Sequence, residues 1–506
     1  MEALEGLVHG FSVALLPANI FWCLVGCFLG TVIGILPGLG PSATIAILLP
    51  LTFNMEPTGG IIMLAGIYYG AKYGGSTTSI LLNMPGEASS VVSCIDGYQM
   101  ARKGRGGAAL GIAAIASFVA GTVGILILTF IAPPIAAFAL SFSSPEYFAL
   151  MVMGLSLVVL LGGDDFPKAL LAMLAGLWLA SIGTDLFTSQ SRFIFGQASL
   201  LGGIEFMSLA IGVFAISEIL LNIEARQKAE LLKVPKGLRN LLPNWEELKR
   251  CRFAFLNGSI TGFIIGMLPG AGSTIASFVS YGIEKAVSRH PEEFGHGAPE
   301  GLAAPEGANN ADSGGALLPM LTLGIPGGSS TAMLLAALIL WGIRPGPLMM
   351  QQSPDVFWGL VASMYVGNVV LLIMNLPLVG VFAQILRVPL YILHPAILGV
   401  AIAGAYGASG NMFDVGLLVG FGLLGYGMSK LGFPAAPLIL GFVLGDAMER
   451  AVRQSLTMSN GDPMILVERP ISAVLLILAV LILLSPLLRR VRKMREVVAK
   501  AEVEAS

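Results

Sequence analysis

The chain reads as a succession of long apolar runs, and that one property decides most of what it can fold into. About 20 helical residues cross the hydrocarbon core of a bilayer. Runs of that order lie near 11–35, 59–82, 108–132, 146–162, 168–186 and 204–221. They resume near 254–268, 307–343, 357–384, 389–405, 411–428, 433–447 and 470–488. Only 11% of the 506 residues are charged, against about 25% in soluble domains. A chain so poor in charge solvates itself only if most of its surface faces lipid. The expected fold is an all-α polytopic membrane protein with about 11 to 13 membrane segments.

The remaining composition excludes other classes. A net charge of −2 leaves no basic excess for nucleic acid. Cys23, Cys27, Cys94 and Cys251 form neither a C-x-x-C pair nor a zinc spacing. Cys23 and Cys27, four apart on an apolar helix, suit packing or lipid contact. The start, Met1-Glu2-Ala3-Leu4-Glu5, lacks the basic region of a cleaved signal peptide, so the first apolar segment is expected to be retained.

Lys and Arg collect on the cytoplasmic side of membrane proteins. Eight of them lie in the polar stretch 222–252, six in the tail from Arg489, and three in Arg102-Lys103-Gly104-Arg105. All three clusters are placed inside. If 254–285 dips in and returns, an even number of crossings joins Arg252 to Arg489, as two cytoplasmic ends require. The first half then has an odd number and an outer N-terminus. The expected organisation is an N-terminal membrane repeat (1–221), a basic cytoplasmic linker (222–252) and an inverted C-terminal repeat (253–450). An outer loop, a closing helix near 470–488 and a basic tail complete it (451–506).

The halves also repeat in sequence. GTVIGILPGLGPS (30–42) matches GFIIGMLPGAGST (262–274), and GGSTTSILLNMPGEASS (74–90) matches GGALLPMLTLGIPGGSST (314–331) if one gap is allowed. Each contains Pro-Gly within an apolar run: Pro37-Gly38, Pro85-Gly86, Pro269-Gly270 and Pro326-Gly327. Proline removes a backbone donor and glycine favours leaving the helix. The freed groups are tolerated in a membrane only inside protein or against a water-filled cavity. Hydroxyl residues follow each break: Ser42 and Thr44, Ser89 and Ser90, Ser273 and Thr274, and Ser329, Ser330 and Thr331. They are expected to cap restarting half-helices, whose amides and dipoles attract an anion. Paired broken segments in two halves are the best sequence pointer to a transporter site.

These residues carry a resemblance. The blocks GILPGLGPSATIAILLPLTF (34–53), YYGAKYGGSTTSILLNMPGEASS (68–90), DGYQMARKGRGG (96–107) and GMLPGAGSTIASF (266–278) resemble the large membrane subunit of bacterial tripartite tricarboxylate transporters (TctA-like). So do APEGANNADSGGALLPMLTLGIPGGSSTAMLLAAL (304–338), GIRPGPLMM (342–350) and PAAPLILGFVLGDAMERAVRQSL (434–456). The resemblance implies a secondary transporter for citrate-like carboxylates in the bacterial inner membrane, coupled to Na⁺ or H⁺. It also implies a small membrane subunit (TctB-like) and a periplasmic solute-binding protein (TctC-like). Glu87 departs from the pattern, where a neutral residue is more usual.

The substrate-binding set expected from the breaks is Pro37, Gly38, Gly40, Ser42, Thr44, Ser89, Ser90, Pro269, Gly270, Gly272, Ser273, Thr274, Gly327, Ser329, Ser330 and Thr331. Ser76, Thr77 and Thr78 add hydroxyls before the second break. Lys72, a cation inside an apolar run, either contacts the substrate, or snorkels to an interface or is held by a structural partner. Glu306, Asn309, Asn310 and Asp312 concentrate oxygen ligands suited to Na⁺, or cap a helix starting near Ser313. Asp446, Glu449, Arg450 and Arg453 form either a docking surface or a membrane-edge cluster. No cofactor is expected, and monomer and homodimer are both compatible with the sequence. A passive channel or exporter on the same scaffold is the competing function. An enzyme is disfavoured, because H-E-x-x-H, G-x-G-D and the P-loop pattern are all absent from the sequence.

Overall fold

The computed structural model describes residues 2–36, 40–52, 55–161, 165–185, 187–225, 240–382, 384 and 390–486. The principal helices are α1 (Glu2–Ala14), α2 (Pro17–Gly34), α3 (Pro41–Leu48), α4 (Pro57–Leu82), α5 (Val91–Met100), α6 (Gly106–Ala139), α7 (Ser144–Leu161) and α8 (Phe166–Ala180). They continue with α9 (Phe206–Glu224), α10 (Trp245–Gly266), α11 (Gly272–Val287), α12 (Pro299–Leu323), α13 (Ser329–Leu340) and α14 (Pro354–Asn375). The last are α15 (Leu390–Ser409), α16 (Met412–Lys430), α17 (Ala435–Met458) and α18 (Pro470–Pro486). Gly183–Thr184 and Ser191–Arg192 form a short antiparallel ladder. Among the described residues, six segments are long and apolar enough to cross a membrane: α2, 88–139, α7, α9, α14 and α16.

Proline opens many of these helices, at Pro17, Pro41, Pro57, Pro299 and Pro354. There its missing N–H would have had no partner in any case. The helix α10 begins at Trp245, inside the stretch assigned to the polar linker. The cause is local: Asn244 accepts from the Glu247 N–H at 2.8 Å, and Glu247 accepts from the Asn244 N–H at 2.7 Å. This reciprocal cap fixes the start. The run 307–343 is two helices rather than one, because α12 stops at Gly324, in the left-handed region at φ 73°. The polar run before it, from Pro299, is helical and buried.

The chain divides into two compact units that interleave along the sequence, residues 1–140 with 204–429 and residues 141–203 with 430–506. In the first, α2 lies on α4 and α10 lies on α12 through glycine seams. A Cβ on Gly26, Gly30 or Gly34 would fall 2.2, 2.4 or 2.3 Å from the carbonyl oxygen of Met63, Ile67 or Ala71. A Cβ on Gly258, Gly262 or Gly266 would fall 2.7, 2.3 or 2.6 Å from that of Ala304, Ala308 or Asp312. No side chain fits at such seams, and the backbones touch directly.

These equivalences set the repeat register at 232 residues for the first motif and 241 for the second. Asn83 and Gly324 both end their helices with positive φ. Gly86 packs on Gly34 and Gly75, as Gly327 packs on Gly266 and Ala316. The second motif therefore aligns without a gap, pairing Gly74 with Gly315. Cys23 and Cys27 are buried against Ser363 and Gly367 of α14, a packing role.

In the second unit, α8 and α17 approach closely at Gly176 and Gly441. Arg192 and Arg453 both pair with Asp185 and with Glu449, so Glu449 and Arg453 of the expected docking cluster are held in ion pairs within this unit. Buried Glu146 pairs with Arg469.

Candidate functional site

Within the first unit, three helices restart with no side chain at the capping position able to accept a hydrogen bond. Gly40 precedes α3, Ala271 precedes α11 and Gly328 precedes α13. The general expectation of hydroxyl caps is thereby corrected: Ser42, Ser273, Thr274, Ser329 and Ser330 lie within first turns instead. Only Ser90 and Thr331 act as expected. Each hydroxyl accepts the N–H three residues back, from Glu87 at 3.2 Å and from Gly328 at 2.9 Å. By the 241-residue register these are equivalent positions.

The restarts meet around a polar cavity of about 250 Å³. Gly40, Pro41 and Ser42 line it from α3, Gly272, Ser273 and Thr274 from α11, and Gly327 to Thr331 from the start of α13. Tyr68, Lys72, Glu87, Ala88, Ser89, Asp312 and Ala316 complete the wall. Ser42 Oγ lies 2.6 Å from Ser329 Oγ and 3.1 Å from Ser330 Oγ, joining the first break of one half to the second break of the other. The Gly270 N–H donates to the Gly327 carbonyl at 2.9 Å. Helix starts without caps leave amide donors and positive dipole ends toward the cavity, which favours an anion.

Lys72 is 1% exposed. Its Nζ donates to Asp312 Oδ2 at 2.6 Å and to the Asn309 carbonyl at 2.8 Å, and lies 4.8 Å from the centre of the Tyr68 ring. Among the described residues, Asp312 Oδ1 and Asn309 Oδ1 are buried acceptors without partners. Glu87 Oε1 accepts from Ser89 Oγ at 2.6 Å and Asn309 Nδ2 at 2.8 Å.

The four expected cation ligands do not converge. Glu306 accepts from Ser76 and Ser93, Asn310 Nδ2 donates to Ser117 Oγ of α6 at 2.7 Å, Asn309 turns to Glu87, and Asp312 turns to Lys72. Successive positions on α12 point in different directions, and each finds its own partner. Among the described residues no three His, Cys, Asp or Glu side chains form a metal cluster.

Several expected substrate ligands also lie off the cavity wall. Thr44 bonds the Gly40 carbonyl at 3.0 Å, Thr78 bonds the Ile35 carbonyl, and Ser76 bonds Glu306. Thr77 faces a small void beside Tyr73, Ser117 and Asn375. Pro269 and Gly270 lie in the break itself. Pro37 and Gly38 lie outside the described residues.

Two residues that sequence reasoning did not single out matter here. Tyr68 precedes Lys72 by four residues, so helical spacing alone placed them on one face. Asp96 accepts from the Gly295, Gly297 and Ala298 N–H groups at 2.9, 2.7 and 2.9 Å and from the Tyr281 hydroxyl at 3.0 Å. It pins the entry to α12, and a Cβ on Gly301 would fall 2.3 Å from it. Its only signal was its place in the block DGYQ.

Helices broken around a polar cavity inside a multi-pass membrane protein are the way secondary transporters build a central site. The sequence pattern of the tripartite tricarboxylate transporter TctA family matches residues 20–440, and the chain belongs to that family. It is thus a subunit of a tripartite tricarboxylate transport system. An uncharacterized 52.8 kDa protein in the TAR-I ttuC′ 3′ region of Agrobacterium vitis is 48% identical over 98% of both chains. An uncharacterized protein in the TAR-II ttuC′ 3′ region of the same organism is 45% identical over 46% of this chain and 97% of its own length. No solved structure matches.

Proposed function

We propose that the chain is the large permease subunit of a secondary transporter that imports citrate-like di- and tricarboxylates across the bacterial inner membrane. Import works by alternating access between the two halves, read as inverted repeats. A periplasmic solute-binding protein of the TctC type delivers substrate, and a small TctB-like subunit completes the system. The observation that carries this is the cavity where three helix starts, whose N-cap residues offer no side-chain acceptor, meet beside Lys72. Neutral donors contribute about 1 kcal/mol each, so several together bind a polycarboxylate without holding it too tightly to release.

Coupling to Na⁺ or H⁺ acts on the Lys72–Asp312 pair. A cation taken up by the free oxygens of Asp312 and Asn309 weakens the hold on the Lys72 ammonium, which then turns to a substrate carboxylate. Asp312→Asn keeps an acceptor for Lys72 but removes the charge. It raises the cation concentration needed for half-maximal uptake; unchanged cation dependence with normal insertion reduces Asp312 to a structural partner. The deciding experiment is uptake into proteoliposomes holding all three components, with Na⁺ or H⁺ gradients imposed over a panel of di- and tricarboxylates. Accumulation against a concentration gradient supports the reading. Flux indifferent to any ion gradient would identify a passive channel.

A further inference from the structure

The cavity contains one carboxylate that the anion-binding reading leaves without a purpose. Its donors come from both halves, and Glu87 has no counterpart in the second. By the 241-residue register Glu87 stands opposite Gly328, which has no side chain. Of the two lining carboxylates, Asp312 is met by Lys72. No Lys, Arg or His among the described residues lies within ion-pair distance of Glu87. Its two donors, Ser89 and Asn309, are neutral and both reach Oε1. Nothing described donates to Oε2, and the side chain forms part of the cavity wall.

A substrate built only of carboxylates offers acceptors, and Glu87 then meets it with repulsion and an unmet lone pair. A hydroxyl beside a carboxylate is the substrate group that reverses this. Its O–H donates to Oε2 while the neighbouring carboxylate faces the helix starts and Lys72. A site built to bond a hydroxyl rejects the analogue lacking it, because its own buried group is left unpaired. Resting on the carboxylate reading above, we infer that Glu87 is a specificity residue that accepts a hydrogen bond from a hydroxyl of the substrate. The transported class is then hydroxylated di- or tricarboxylates rather than their unsubstituted counterparts.

The test is direct binding to the purified full-length chain in detergent, by isothermal titration, which removes the binding protein's own selectivity. Two pairs differ by one hydroxyl: malate with succinate, and citrate with tricarballylate. The unaltered chain is expected to bind the hydroxylated member about tenfold to a hundredfold more tightly, the range for a hydrogen bond to a charged group. In Glu87→Gln, Ser89 and Asn309 hold the amide oxygen, so the amide N–H₂ faces the cavity. The preference should fall to about threefold or less, with succinate bound no more weakly than before. Equal affinities within each pair in the unaltered chain overturn the inference and leave the carboxylate site standing. So does Glu87→Gln weakening both members by one factor. No binding of any of the four acids overturns the carboxylate reading itself. Should Glu87→Gln fail to fold, Glu87→Asp keeps the charge and withdraws it by one methylene. The same loss of preference is then expected, and an unchanged preference overturns the inference.

Discussion

Lys72 and Asp312 illustrate how a buried pair separates stability from function. Removing one partner leaves a charge in a low-dielectric interior, at a cost of about 3–5 kcal/mol. Lys72→Met or Asp312→Leu alone should therefore lower the unfolding temperature in detergent sharply. The double variant should recover most of it, because apolar residues of similar volume replace an ion pair at little cost. Carboxylate binding should not recover, since the cation is gone. At the neutral donors the effects are smaller. Ser42→Ala and Thr274→Ala should each weaken substrate binding about fivefold, the equivalent of about 1 kcal/mol, with little loss of expression. For Ser42 the lost contacts are those to Ser329 and Ser330.

Among elements, the glycine seams hold the scaffold in which the breaks sit. Gly30→Leu or Gly262→Leu would drive a side chain into a carbonyl 2.4 or 2.3 Å from its Cβ. The expected result is loss of a monodisperse peak in size-exclusion chromatography, whereas exposed Ile264→Ala on the same helix should leave the peak intact. Gly270 has φ 84°, so even alanine there is strained, by about 1–2 kcal/mol. The loop after α8 behaves differently because the helix ends at Ala180, short of the run read to 186, and leaves the chain in turns. The N–H groups of Thr188 and Phe187, and then Arg453, hold the Asp185 carboxyl well below the usual carboxylate range. A depressed folded-state value stabilises above the ordinary carboxylate range and loses that contribution only as pH falls toward the lowered value. Hydrogen exchange across 187–203 should stay slow from neutral to mildly acid pH. It should quicken at neutral pH in Asp185→Asn.

For the whole molecule, the clustered Lys and Arg lead to a topology with the N-terminus outside and residues 222–252 and the C-terminal tail inside. Cysteine labelling of intact cells checks it. An impermeant reagent should reach a cysteine placed near Glu2 and miss one placed at Arg489, and labelling at Arg489 would reverse the orientation. The compact units interleave along the chain, with residues 141–203 belonging to the same unit as the described residues from 430 on. Apolar runs carry no address for such distant pairing.

Much was legible from residues 1 to 506 alone, because it rests on local chemistry. Apolar runs demand helices in lipid, Pro-Gly within them demands a break, and glycine every fourth residue permits a seam. The order of the four breaks likewise marked the segments that line the cavity. What only the tertiary structure decided depends on how each helix is turned about its axis and which distant helix it faces. Thus Ser42 meets Ser329 while Thr44 turns back on its own helix, and Glu306 answers Ser76 and Ser93. Lys72 finds Asp312, 240 residues away. A side chain's neighbours around a helix change by about 100° per residue. A cluster read along the sequence, such as 306–312, is therefore dispersed in space, while residues far apart in the chain converge on one cavity.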